Sequence, residues 1–282
     1  MNYRHAFHAG NFADVIKHAV LARVVALLRR KEAAFRVIDT HAGSGLTDLT
    51  GPEASRSGEW RGGIGRLCEA KLMGEVRSLL APYLDVVAKY NPDGALTTYP
   101  GSPLLVASWL RPRDRLIACE ILPEAAQSLA RQLARNGNAK ALLIDGWTAV
   151  GASVPPKERR GLILIDPPFE RSDEFQHVAE HLARAHRKWP TGCYMVWYPL
   201  KNFAESEDFV RTVVRSGIAK VLRAEVTVAE SGEPGLIGSG LLLVNPPFRL
   251  DSELKELLPA LVGILGRSDQ ARFRLTWLAG EK

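Results

Sequence analysis

At 282 residues the chain is long for one simple domain and short for two, so one α/β domain carrying an insertion is expected. Apolar residues at 46% and charged residues at 24% are the balance of a soluble globular protein with a real core. No apolar stretch approaches a membrane span, and Cys68, Cys119 and Cys193 form neither a CxxC pair nor a His/Cys cluster. A reduced, unexported, cytoplasmic protein without a metal site is therefore expected.

The net charge of +6 is uneven: residues 1 to 36 hold seven Lys and Arg against two Asp and Glu, a net of +5. A basic end on a nearly neutral body suits a polyanionic partner. Smaller basic clusters stand at Arg111/Arg113/Arg115, Lys157/Arg159/Arg160 and Arg184/Arg187/Lys188.

In chain order, Tyr3-Arg4-His5 through Gly10 leads into a helix with Asn11 as N-cap and Asp14 at the capping-box position. Val15, Ala19, Ala22 and Ala26 give that helix an apolar face. Asp14 and His18, four apart, share a face and are expected to pair. Phe35–Asp39 reads as a buried strand, followed by the Gly-rich turn Asp39-Thr40-His41-Ala42-Gly43-Ser44-Gly45. Its glycines permit a tight turn and close approach of backbone to a ligand. Residues 46–99 break the pattern, first rich in Gly, Ser and Arg and then helical through Leu67–Tyr90, and read as an inserted helical subdomain. Ser102 before Pro103 fits an N-cap with proline at N1.

Short apolar runs follow at Leu116–Glu120, Ala141–Asp145, Leu162–Asp166 and Tyr194–Tyr198, with Val221–Val228 and Leu241–Asn245 beyond them. Helical stretches such as Pro123–Asn136 and Ser172–Lys188 separate them. Continuous runs of this kind are what parallel strands covered on both faces look like, so the alternation predicts a doubly wound sheet. Asp39, Glu120, Asp145 and Asp166 each close a run. Ligands of such sheets bind outside the carboxyl ends of the strands, so four acids in succession predict one polar site. Glu120 is the candidate to hold ribose hydroxyls.

Asp166-Pro167-Pro168-Phe169 carries the chemistry. Two prolines directly after a strand stop it and free backbone carbonyls to accept hydrogen bonds. An exocyclic amine is a poor nucleophile because its lone pair is delocalised into the ring. The Asp166 carboxylate and the Pro167 carbonyl are two acceptors able to hold its N–H groups and turn that lone pair towards an electrophile. Phe169 offers a face on which an extruded base stacks. The look-alike Asn245-Pro246-Pro247-Phe248 follows a strand expected at the sheet edge and is read as structural.

On these residues the chain resembles the bacterial 23S ribosomal RNA adenine-N6 methyltransferase family of the J type, over essentially its whole length. The likeness rests on Tyr3-Arg4-His5 through His18, Asp39–Gly43, Tyr99-Pro-Gly-Ser-Pro103, Glu120, Asp145-Gly146, Arg160–Pro168, Trp197-Tyr-Pro199 and Asn245-Pro-Pro247. It implies a Rossmann-like α/β methyltransferase domain (residues 1–45 and 100–282) with 46–99 inserted, S-adenosylmethionine as methyl donor, and N6 of one adenine in 23S rRNA as acceptor. It further implies that His18, His41, Ser102, Glu120, Asp145, Gly146 and Asp166 contact the cofactor, alongside Gly43 of the turn. Asp166 is implied as the catalytic acceptor, and Tyr3, with Arg4 and His5 beside it, is placed against substrate RNA. Phe169 departs from the tyrosine usual there, which keeps the stacking face and loses the hydroxyl. A DNA adenine, a glutamine amide, or a non-catalytic nucleic-acid binder remain alternatives, and nothing demands more than a monomer.

Overall fold

The computed structural model describes residues 7–230, 232–233 and 235–279, so Tyr3, Arg4 and His5 lie outside the described residues. Helix α1 (Phe12–Arg29) leads into β1 (Arg36–Asp39). A two-stranded antiparallel ribbon, β2 (Leu46–Asp48) with β3 (Thr98–Pro100), then encloses α2 (Pro52–Ser57), α3 (Ile64–Glu69) and α4 (Gly74–Lys89). The alternation resumes with α5 (Ser102–Trp109), β4 (Arg115–Glu120), α6 (Pro123–Leu133), β5 (Ala139–Leu143) and α7 (Gly146–Ser153). It continues through β6 (Gly161–Ile165), α8 (Glu174–Lys188), β7 (Cys193–Leu200) and α9 (Phe203–Arg215). The chain closes with β8 (Val221–Thr227), β9 (Gly238–Val244), α10 (Leu250–Leu265) and β10 (Arg272–Ala279).

One eight-stranded sheet, in the order β10-β8-β9-β7-β6-β1-β4-β5, organises these elements. The five strands from β5 to β7 are parallel, with Arg36 opposite Arg115 on one side and Gly161 on the other. The chain winds outward from β1 to β5 and returns to the other side of β1 as β6. The strand order therefore reverses between β1 and β6, which fixes the ligand crevice at their carboxyl ends.

Two expectations are corrected. β9 is as apolar and as buried as the parallel strands, yet it runs antiparallel to both neighbours, and the equally buried β8 carries Arg223, Glu225 and Thr227. Cover on both faces, not strand direction, makes a run continuously apolar. Nor is β9 at an edge: it lies between β7 and β8. With Tyr194 opposite Val244, its carboxyl end falls at the amino ends of the parallel strands. Asn245 is thus remote from the crevice, where its amide donates to the carbonyls of Pro190 and Gly192 (both 2.8 Å).

Helix α1 is buried nearly all round rather than on one face, packed by α4, α5, α10 and β9. Asn11 caps it as expected, its side-chain oxygen accepting from the N–H groups of Ala13 and Asp14, but the capping box does not close: Asp14 accepts from Gly10 N–H and Asn11 N–H donates to the His8 carbonyl. Burial forces its charges into pairs. Arg23 Nε donates to Glu253 (2.9 Å), and Lys17 lies between Asp14 and Asp166. Arg30 meets Glu253 and Arg36 meets Glu158. Lys17, Arg23 and Arg36 are thus neutralised from within, whereas Arg29, Arg30 and Lys31 stay exposed at the end of α1. Arg111 and Arg160 are spent on carbonyls of the turn after α1. No helix among the described residues is long and apolar enough to cross a membrane.

Candidate active site

At the reversal of strand order the turn after β1 is held from both sides. Thr40 N–H donates to the Leu164 carbonyl of β6 (3.0 Å), and Ala42 N–H to the Cys119 carbonyl of β4 (2.9 Å). Gly43 has φ +65°, a left-handed value that favours glycine, and a Cβ there would meet nothing within 4 Å. Its N–H donates to Glu120 Oε2 (2.9 Å), while Glu120 Oε1 accepts from Leu122 N–H (2.8 Å). The turn and the end of β4 are therefore one rigid unit. Each carboxylate oxygen still has a lone pair for a further donor.

Beneath this turn, Asp39 is fully buried, accepts the Ser102 hydroxyl at 2.6 Å, and keeps Oδ1 without a hydrogen-bond partner among the described residues. Burial pushes its carboxyl up to about 7, against the lowering effect of the serine. Ser102 is the first residue of α5 rather than its cap, which is Gly101. Burial pushes the His41 imidazole down to about 4.

Asp166 stands two residues beyond the last ladder partner of β1. Lys17 Nζ donates to Asp166 Oδ2 and to Asp14 Oδ1 (2.8 Å), and Asp14 Oδ2 accepts from Gly10 N–H (2.9 Å). Burial alone would push the Lys17 ammonium down, but the two carboxylates outweigh it and hold its pKa above the ordinary lysine range. Asp166 Oδ1 has no hydrogen-bond partner among the described residues. The next loop residues keep their path into Phe169, which adopts a left-handed φ of +50°. Its ring packs on Phe175 (4.9 Å between centroids) and edge-on to Trp197 (5.6 Å).

These groups share one cleft of about 1300 Å³, larger than one small ligand needs and roomy enough for a cofactor beside an extruded base. His18, His41, Gly43, Ser102, Glu120, Asp166, Pro167 and Phe169 all line it. Asp145 and Gly146 do not: the Asp145 carboxylate caps α7 by accepting from Thr148 N–H (2.8 Å). Gly146 packs so tightly that a Cβ would lie 2.1 Å from the Thr40 carbonyl oxygen. His18 turns its Nδ1 to the Tyr99 hydroxyl (2.6 Å), itself bonded to Tyr83 (2.7 Å). Asp14, the expected partner of His18, is engaged with Lys17.

Lys17 is the functional group that sequence reasoning passed over. The available signal was a lysine inside an apolar helix, three residues after an aspartate, where burial demands a second carboxylate. Trp197 was also given no role; it lines the cleft and donates from its indole nitrogen to Ser239 Oγ (2.9 Å).

A sheet that reverses at β1 and β6, a glycine turn tied to an acid at the end of β4, and an Asp-Pro-Pro-Phe loop in the same cleft define a Rossmann-like, S-adenosylmethionine-dependent methyltransferase. The family described as "Ribosomal RNA large subunit methyltransferase D, RlmJ" matches residues 32–279, and the chain belongs to it. It is 35% identical over the full length of both chains to "Ribosomal RNA large subunit methyltransferase J" of Haemophilus influenzae. It is 34% identical, again over both full lengths, to the protein of that name from Escherichia coli. The crystal structure of protein LPL1258 from Legionella pneumophila superposes with a TM-score of 0.88 at 34% identity, covering 96% of this chain and 98% of that one.

Proposed function

We propose that the cleft binds S-adenosylmethionine and an adenosine of 23S rRNA, and that the product is N6-methyladenosine at one position of that RNA, made in the cytoplasm. The observation that carries this reading is Asp166: a carboxylate at the switch point, anchored through one oxygen by Lys17, with the other lacking a partner among the described residues, beside two prolines.

The wall suits the cofactor. Six carboxylates line it against three cations, which favours a ligand carrying a sulfonium and an ammonium. Glu120 is placed to accept from ribose hydroxyls, and Gly43 leaves room for a ligand against the backbone. Asp39, Ser102 and His41 shape the turn at the amino-acid end. Ile121 and Leu122, 49% and 40% exposed at the rim, give an apolar face to the adenine. Asp145 and Gly146 support that face from the start of α7. Bound there, the cofactor supplies a methyl group made electrophilic by its sulfonium.

The chain's own residues do the remaining work. Asp166 Oδ1 and the Pro167 carbonyl accept the two N–H groups of the target amine and fix the direction of its lone pair. Phe169, stiffened by Phe175 and Trp197, supports the base. Lys17 keeps Asp166 in position. The amine proton leaves to Asp166 or to solvent after the new bond has formed. Residues 46–99 act as an inserted subdomain whose residues Glu53–Gly62 wall one side of the cleft.

Incubation with labelled methyl donor, 23S rRNA and DNA tests the substrate. Label in the rRNA alone is expected; label in DNA alone contradicts the substrate while leaving the site intact.

A further inference from the structure

The cationic side of the cleft indicates where the substrate strand runs. Asp14, Glu53, Glu59, Glu120 and Glu124 line the walls formed by α1, the insertion and the β4–α6 connection. The lining cations other than Lys17 are Lys201, directly after β7, and Arg267, whose backbone N–H donates to the Val228 carbonyl just after β8. Neither has a carboxylate partner among the described residues. Arg267 donates to the Leu236 carbonyl (3.1 Å) and lies over the Phe12 ring, whereas Lys201 is exposed.

Beyond Lys201 lies a second hollow, of about 510 Å³, between α9 and the edge strand β10. Phe203, two residues after Lys201, forms its near wall with the Arg272 guanidinium 5.9 Å from the ring centroid. The hollow's carboxylates, Glu207 and Glu225, are both taken by Arg223 and Arg274, so Arg272 leaves its surface net positive. Glu230 and Glu233 of the nearby loop line neither the cleft nor the hollow. Arg272 pairs with Thr227 at the carboxyl end of β8, the end of the sheet that holds the cleft. Aromatic faces beside unpaired cations are the chemistry by which single-stranded RNA is held, with phosphates on the cations and bases on the rings.

We propose that the RNA strand leaves the cleft over Lys201 and Arg267 and that the hollow between α9 and β10 receives a nucleotide neighbouring the target, its phosphate at Arg272 and its base against Phe203. This rests on RNA being the substrate.

The test measures affinity for a 23S rRNA fragment across a salt series, together with kcat and KM. The Lys201→Ala/Arg272→Ala protein is expected to bind about tenfold more weakly, with the slope of log affinity against log salt reduced by roughly 1.4, two single-strand contacts. KM for RNA should rise in step while kcat and the calorimetric affinity for S-adenosylmethionine stay as they were. Phe203→Ala should weaken binding without changing the salt slope. Arg56→Ala/Arg61→Ala, on the insertion side, should leave both quantities unchanged. Unchanged affinity in the first variant, or a loss confined to the insertion variant, overturns the track and leaves rRNA methylation standing. Absence of methyl transfer to rRNA by the unaltered protein overturns the reading on which the track rests, and the track with it.

Discussion

Replacing Lys17 by methionine keeps the volume of the side chain and deletes its charge. The ammonium is buried, its side chain 5% exposed between Asp14 at 4% and Asp166 at 15%. Removing one partner from a buried ion cluster leaves uncompensated charge and costs about 3–5 kcal/mol. That is a large share of the roughly 5–15 kcal/mol that holds a folded domain together. Asp14 retains its Gly10 N–H donor, so the low end of that range is expected. Adding Asp14→Asn neutralises the deeper carboxylate and should restore much of the stability in urea titrations. It should not restore turnover, because Asp166 has still lost its anchor and a misplacement of about 1 Å costs on the order of a hundredfold in rate. Equal recovery of stability and kcat in the double variant would show that Lys17 is a folding residue alone. A Lys17→Met protein with full stability would refute the charge argument itself.

Glu120→Gln removes the charge and leaves one oxygen for two backbone donors, Gly43 N–H and Leu122 N–H, so calorimetry should show at least roughly tenfold weaker binding of S-adenosylmethionine; unchanged affinity contradicts the ribose role. Asn245→Ala strips the donors to the Pro190 and Gly192 carbonyls and should cost about 1–2 kcal/mol in denaturant unfolding with kcat untouched. A drop in kcat at preserved stability would reinstate that loop as catalytic. Asp39, raised to about 7, favours the fold while protonated, and this contribution is lost as pH rises from about 4 through 7. His41, lowered to about 4, acts in the opposite sense, since the unfolded chain takes up its proton first as pH falls below about 6.5. Asp39→Asn should therefore gain stability relative to the parent as pH rises from about 4 to about 7; parallel stability curves would sink this assignment.

The site was legible where one residue carries one local meaning. Acids at the ends of β1, β4 and β6 and the prolines after Asp166 have fixed consequences in a parallel sheet, and all of them meet at the switch point. What escaped depends on partners far along the chain. Lys17 joins Asp166 across 149 positions, and no periodicity within α1 marks it. The charge excess at the amino end suggested a surface, but Arg23 and Arg30 converge on Glu253 of α10. Strand direction was also hidden, because β9 is as apolar as a parallel strand when helices cover both its faces. At the far edge, β10 alternates charged or polar with apolar residues and was not assigned as a strand; both of its faces are largely open to solvent.

The central claim is that Asp166 holds the exocyclic nitrogen of an adenine for methylation. Nucleosides from 23S rRNA treated with the protein in a single turnover, resolved by mass spectrometry for the parent and for Asp166→Asn, test it most directly. The expected result is N6-methyladenosine from the parent and a rate at least about a hundredfold lower from the variant at undiminished cofactor affinity. Methylation at a ribose or ring carbon, or N6-methyladenosine formed by Asp166→Asn at the parental rate, would contradict it.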